Sequence, residues 1–207
     1  MTDGGDGFLD KVYGLDESEA TKRLYADWAA TYDAEVKANG YATPARCVAA
    51  LAEIADDKSA PILDLGCGTG LSGEAFAEAG FTTIDGNDFS AEMLEAAERK
   101  GVYRTLALSD LERPIAAEPG QYRHMAAVGV FSPGHAPAEM IAQVIELLPA
   151  GGGFVFSLND HALEDPSYRA EIRRLVDAGV VEVTSDTYDD HLPGRGLKSA
   201  VVCLRKL

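Results

Sequence analysis

The sequence predicts an α/β fold: a doubly wound, Rossmann-like sheet of seven strands, mostly parallel with an antiparallel last strand, preceded by N-terminal helices. Three observations predict it. Short apolar runs alternate with amphipathic helical stretches from Pro61 to Gly179. The first run, PILDL, ends in a cluster of glycines, as a buried parallel strand does. The last two strand-like stretches, VVEVTSDTY and KSAVVCLRK, are joined by the turn-rich HLPGRG with no helix between them, which favours an antiparallel pair.

In chain order, residues 1–16 are rich in Gly and Asp and read as a mobile lead-in. Residues 17–36, ESEATKRLYADWAATYDAEV, read as a helix with Leu24, Trp28 and Ala29 near one face and Tyr25 and Tyr32 on its neighbour. Thr43-Pro44 reads as N-cap and first-turn proline of the next helix. Its Val48, Leu51, Ala52 and Ala55 recur at helical spacing. These helices, 17–58, precede a sheet domain over 59–207. Within it GLSGEAFAEAG is a helix stopped by Gly80, and FTTIDGND is a strand. AEMLEAAERK is a helix capped by Ser90 and closed by Gly101. VYRTLAL and MAAVGVF are the next strands. Between Pro137 and Pro149 a helix carries Ile141, Val144, Ile145 and Leu148 on one face. GGFVFSL is the fifth strand, and Asp165-Pro166 opens a helix that runs to Gly179.

Composition bounds the function. The 207 residues are 46% hydrophobic and 25% charged, enough for one domain with a substantial core. Eighteen Lys and Arg against 34 Asp and Glu leave a net charge of −16, with no basic cluster longer than a pair. Nucleic-acid affinity rests on cations that release counterions from phosphates, so this balance speaks against RNA, DNA and anionic membranes as partners. The start MTDGGDGFLD lacks the basic and apolar stretches of a secretory signal, which makes a cytoplasmic protein the expectation. Cys47, Cys67 and Cys203 form no CxxC, and His124, His135, His161 and His191 show no metal-ligand spacing; no metal is expected.

The informative segment is Asp64-Leu65-Gly66-Cys67-Gly68-Thr69-Gly70. Asp64 stands at the carboxyl end of the first strand, where open α/β sheets bind ligands. Gly66, Gly68 and Gly70 let the backbone turn sharply and approach a ligand. Asp88 ends the second strand 24 residues on, where a ribose-binding carboxylate belongs. Residues 68–73 formally match the dinucleotide pattern GxGxxG, but Gly66 already ends the strand two residues earlier. A carboxylate at Asp64 would also face a pyrophosphate's negative charge. It suits a cation, such as the ammonium of a methionine moiety, and charge therefore favours S-adenosylmethionine over NAD.

LDLGCGTG, followed by Asp88 in NDFSAEML and Asp110 in LSDL, resembles the class I S-adenosylmethionine-dependent methyltransferases. With YADWAATYD before the fold, GFTTIDGNDFSAEMLEAAERKGVY within it and VGVFSPGH after the fourth strand, the chain is similar to the Williams–Beuren-region group of methyltransferase-like proteins over roughly residues 25–160. The resemblance implies that Asp64 binds the methionine ammonium and that the backbone at Gly66, Cys67, Gly68 and Gly70 lines the amino-acid part. Asp88 takes the ribose hydroxyls, Phe89 and Met93 pack near the adenine, and Asp110 with the Leu111 backbone meets its edge. Val130 and Phe131 lie under the sulfonium side. Tyr25, Trp28 and Tyr32 belong to a lid helix over the cofactor. The chain departs from the family at Tyr122-Arg123-His124, where an acid commonly precedes strand four, a matter of local packing.

Plainer readings stand beside these. Asp88 can cap the helix near Ser90, Asp110 can be a turn acid, Phe89 and Met93 can be core, and the aromatic stripe can be packing. Cys67 reads as a small loop residue and not as a nucleophile. Methyl transfer from an activated donor needs alignment first and a base only where the acceptor arrives protonated. His135 is the candidate for that base or for a substrate contact, against the alternative of a solvated loop histidine. Asn159-Asp160 could belong to a metal-assisted site but lacks a third ligand. The sequence is therefore read as a methyltransferase for a small-molecule acceptor. The alternatives are a silent cofactor-binding module that works through a protein partner, and an NAD-linked oxidoreductase.

Overall fold

A computed structural model describes residues 31–109, 114–132 and 136–207. Helices α1 (Tyr32–Ala38) and α2 (Thr43–Ala52) lead into β1 (Ile62–Leu65), α3 (Leu71–Glu78), β2 (Ile84–Asp88), α4 (Ala91–Lys100) and β3 (Thr105–Leu108). Then come β4 (His124–Phe131), α5 (Glu139–Leu147), β5 (Gly153–Asn159), α6 (Asp160–Glu164), α7 (Pro166–Asp177), β6 (Val181–Leu192) and β7 (Leu197–Lys206). The seven strands lie in the order β3-β2-β1-β4-β5-β7-β6. β1 to β5 pair in parallel, and β7 runs antiparallel to both β5 and β6. The doubly wound sheet and its antiparallel last strand are as the sequence predicts.

Both faces of the sheet are covered, and side chains alternate between them with the period of two that a strand imposes. On one face Leu63, Leu65, Met125, Phe154, Phe156, Val202 and Leu204 pack under α5 and α7. On the other, Ile62, Ile84, Val155, Val201 and Cys203 pack with Cys47, Val48 and Leu51 of α2 and Phe76 of α3. The α5 stripe is as expected: Ile141, Val144 and Ile145 are buried, and Met140 joins them. Ser90 caps α4 by accepting the Met93 N–H at 3.2 Å, and the helix closes on Gly101 at φ 67°. No helix among the described residues is long and apolar enough to cross a membrane.

Several local expectations change. Thr43 is not the N-cap of α2; Ala42 holds that position without a side-chain bond. The Thr43 hydroxyl bonds instead to His191 Nδ1 at 2.7 Å and Ser199 Oγ at 3.2 Å, a buried polar cluster that outcompetes capping. β6 extends to Leu192, so His191 and Leu192 of the expected turn are strand residues, and Leu192 pairs with Leu197. The short helix α6 is additional, opened by Asn159, whose side chain accepts the Ala162 N–H at 2.9 Å. Of the expected 17–36 helix only the end lies among the described residues, where α1 starts at Tyr32 after Thr31 at the N-cap position and runs to Ala38. The expectations for 1–16 and for Leu24, Tyr25, Trp28 and Ala29 lie outside the described residues.

The stretch at Tyr122-Arg123-His124 is resolved by a neighbouring acid. Buried Asp85 of β2 accepts Arg104 Nε and the Tyr122 hydroxyl, both at 2.9 Å, and its second guanidinium bond comes from Arg104 NH2. Burial pushes the Asp85 carboxyl up, but Arg104, Thr105 and Tyr122 together hold it below the usual range. His124 is buried, is held neutral by that burial and accepts the Gly153 N–H on Nδ1 at 3.1 Å. We predict that Arg104→Ala destabilises the fold by about 1–3 kcal/mol at neutral pH, because a buried carboxylate loses its charged partner. The loss should shrink as pH falls from 7 toward 4, because Asp85 in the variant has lost the guanidinium that opposes its burial and takes up a proton more readily, and denaturant unfolding at the two pH values checks it.

Candidate functional site

β1 lies between β2 and β4, so the chain leaves it in one direction and returns on the other side, which opens a crevice at the strands' carboxyl ends. The glycine turn sits there. Gly66, Gly68 and Gly70 have φ of 62°, 54° and 90°, a left-handed backbone that L side chains rarely adopt. The turn is bolted to the end of β2. The Gly66 N–H donates to Asn87 Oδ1 at 3.1 Å, the Cys67 N–H to the Asn87 carbonyl at 2.8 Å, and the Gly68 N–H to Asp88 Oδ2 at 2.9 Å.

Asp64 is wholly buried on the face shared with α3. Its Oδ2 accepts two hydroxyls, Ser72 at 2.6 Å and Tyr103 at 2.7 Å. Its Oδ1 has no hydrogen-bond partner among the described residues. Burial pushes the carboxyl up to about 6, the two hydroxyls oppose that rise, and the charge of Asp88 adds to it. A buried acceptor left bare costs about 1–3 kcal/mol, more when charged. Such a group calls for a donor from outside the chain, and an ammonium meets the requirement in both charge and hydrogen bonding. The donor set therefore fits the amino-acid end of S-adenosylmethionine.

Asp88 is buried, and each oxygen takes one backbone donor: Oδ2 from Gly68, and Oδ1 from the Ser90 N–H at 2.9 Å. Burial raises its pKa, while the Ser90, Gly68 and Phe89 N–H groups oppose the rise. Because Ser90 performs the capping, the helix-cap reading of Asp88 falls away. A carboxylate has about four acceptor sites, more than these backbone donors fill, which leaves acceptor capacity for ligand hydroxyls. Phe89 is half-buried beside it. Met93 is buried yet belongs to none of the three apolar clusters of described residues.

Other expectations are redirected. Phe131 does not line the crevice: its ring packs at 5.3 Å from Phe156 and 5.6 Å from Tyr168 in the core. Val130 belongs to the same cluster, which leaves its backbone as the part available at the end of β4. Cys67 is buried, and burial drives its thiol far up, so it is no nucleophile. Tyr32 packs against the small cluster of Val36 and Leu192, as Tyr41, Leu71 and Leu197 do. Asp110, Leu111 and His135 lie outside the described residues, as do Tyr25 and Trp28.

Sequence reasoning missed four groups at the site. Tyr103 and Ser72 hold Asp64. Asp33 of α1 reaches the glycine turn: its Oδ1 accepts the Thr69 hydroxyl at 2.5 Å, and its Oδ2 pairs with Lys100 at 2.6 Å. Lys100, in turn, pairs with Glu74 of α3 at 2.6 Å. Asp33 closes the motif YADWAATYD, so the segment was in view, but its partners stand 36 and 67 residues away.

The Methyltransferase domain family matches residues 62–152, the span from β1 to the start of β5. Human methyltransferase-like protein 27 is 32% identical over 143 residues, 68% of this chain and 58% of that protein. The 18S rRNA (guanine-N(7))-methyltransferase of Bos taurus is 33% identical over 107 residues, 52% of this chain and 35% of its own length. The chain thus spans less than two thirds of these relatives. Among solved structures, a magnesium protoporphyrin IX methyltransferase from Synechocystis PCC 6803 with bound SAH has the same fold, with a TM-score of 0.63 at 18% identity, covering 83% of this chain and 85% of that one. In sheet order, glycine turn and domain match together the chain is similar to the class I S-adenosylmethionine-dependent methyltransferases.

Proposed function

We propose that the chain transfers a methyl group from S-adenosylmethionine to a small-molecule acceptor in the crevice beside the glycine turn. The observation that carries the reading is the bare, buried Oδ1 of Asp64. On this reading Asp64 takes the ammonium, Asp88 the ribose hydroxyls through its remaining acceptor capacity, and Phe89 and Met93 flank the adenine, with Asp110 and the Leu111 backbone at its edge. The backbone at Gly66, Cys67, Gly68, Gly70 and Val130 lines the remainder. On the same reading segment 17–58 is the lid, Tyr25, Trp28 and Tyr32 are its contacts to the cofactor, and Asp33 ties it to the turn through Thr69 and Lys100.

S-Adenosylmethionine supplies an already activated methyl group, so the protein's task is alignment and exclusion of water. His135 serves as base or contact where the acceptor arrives protonated. The net charge of −16 supports a small acceptor over a nucleic acid, although one relative is named as an rRNA methyltransferase. Incubation with methyl-labelled S-adenosylmethionine and either a metabolite extract or total rRNA tests this. Label in the small-molecule fraction is expected. Label in RNA would overturn the acceptor class, and demethylated cofactor in neither arm would leave a binding module.

Asp64→Asn separates binding from stability. Folding raises the Asp64 pKa from 3.8 to about 6, so the folded state binds the proton more tightly. Apoprotein stability therefore falls as pH rises through that window, by on the order of 3 kcal/mol in all. The variant carries no such charge. We expect it to be at least as stable as the parent at pH 7 and to bind S-adenosylmethionine at least tenfold more weakly, as calorimetry and thermal unfolding would report.

A further inference from the structure

We propose that Tyr103 is a positioning residue for the cofactor's amino-acid end: its hydroxyl occupies Asp64 Oδ2 and so leaves Oδ1 as the oxygen presented to the ligand's ammonium. The proposal rests on the reading of Asp64 as the ammonium's partner. Tyr103 lies in the connection between α4 and β3, 39 residues from Asp64, and no motif marks it.

Space is the first argument. A Cβ at Gly73 would land on the Tyr103 ring carbon that bears the hydroxyl, and one at Gly86 would come within 2.9 Å of Cε1. A Cβ at Gly70 would come within 3.0 Å of Cε2. Three glycines, from the glycine turn, α3 and β2, thus leave room for one phenol beneath the turn. Gly73 and Gly86 have ordinary backbone angles, so their lack of a side chain is explained by this ring and not by a turn.

The second argument is what the hydroxyl does there. It donates to Asp64 Oδ2 at 2.7 Å and accepts the Gly73 N–H at 3.1 Å. Gly73 is in the first turn of α3, where N–H groups have no intrahelical acceptor and where Gly70 offers no side-chain cap. The phenol therefore caps α3 and, with the same oxygen, orients the carboxylate. Burial and the nearby Asp64 charge drive the phenol's pKa far up, so it stays a donor at every working pH.

Among the described residues, the groups that face Asp64 are few. They are Ser72 from α3, Tyr103, Cys67 from the turn, Asp88 from β2 and Cys47 from α2. Burial keeps both thiols protonated, and Asp88 works against a second negative charge. The two hydroxyls are therefore what keeps Asp64 ionisable in this enclosure. Loss of the Tyr103 hydroxyl would raise the pH at which Asp64 becomes a carboxylate, and with it the pH at which an ammonium is held.

The test is calorimetry across pH 5–8 with S-adenosylmethionine and with 5′-methylthioadenosine, which keeps the ribose and adenine but lacks the ammonium. Tyr103→Phe keeps the ring that fills the space. We expect it to weaken S-adenosylmethionine about tenfold at neutral pH and to move the midpoint of the acid limb up by about one pH unit, with methylthioadenosine unchanged. Unchanged affinity and midpoint in Tyr103→Phe, beside lost binding in Asp64→Asn, would make Tyr103 packing only and leave the ammonium reading intact. Normal binding by Asp64→Asn would overturn that reading and this proposal together. Should Tyr103→Phe fail to fold, 3-fluorotyrosine at position 103 is a stronger donor and must move the midpoint down; an unmoved midpoint would overturn the proposal.

Discussion

A carboxylate buried at the end of the central strand, with one oxygen saturated and the other bare, is the constraint on which the site depends. Asp64 can be desolvated there because hydroxyls from α3 and from the α4–β3 connection converge on Oδ2. Those hydroxyls can converge only because Gly70, Gly73 and Gly86 admit the Tyr103 ring. Gly70 also serves with Gly66 and Gly68 to let the turn fold tightly enough for Gly66, Cys67 and Gly68 to hang from the end of β2. Turn, helix cap and carboxylate are thus one cooperative unit, and the strain of a buried charge is concentrated at a single atom.

The N-terminal helices connect to this unit through electrostatics and through packing. Asp33 ties α1 to Thr69 of the turn and to Lys100 at the end of α4, while Tyr32 and Val36 rest on Leu71 and the β6–β7 tip. α2 is anchored separately, by the Thr43–His191–Ser199 cluster and by Arg46, which donates to the Ser199 hydroxyl at 3.0 Å.

What was legible in the sequence was what lies close along the chain. Asp64, the three turn glycines, Asp88 and the Ser90 cap are read from one contiguous stretch, and short apolar runs bounded by turn residues together with 3.6-residue spacing locate every strand and most helices. What escaped is held by distant partners. Tyr103 meets Asp64 across 39 residues, Asp33 meets Lys100 across 67, and Thr43 meets His191 across 148. Thr43 is instructive: Thr-Pro reads as a helix start, and the hydroxyl was assigned to the cap before the fold brought it a better partner. Phe131 fails differently. Alternation from Met125 and Ala127 already puts Phe131 on the α5–α7 face, and the register shift between Ala127 and Phe131 brings Val130 to the same side.

The most direct test of the buried-carboxylate account is proton release on binding, measured by calorimetry at pH 6 in two buffers of different ionisation enthalpy. With Asp64 titrating near 6, binding of an ammonium converts the half-protonated acid to carboxylate. The account predicts release of about half a proton per site with S-adenosylmethionine in excess of that with 5′-methylthioadenosine, which reports Asp88 and the rest of the site. Equal proton release by the two ligands would contradict it.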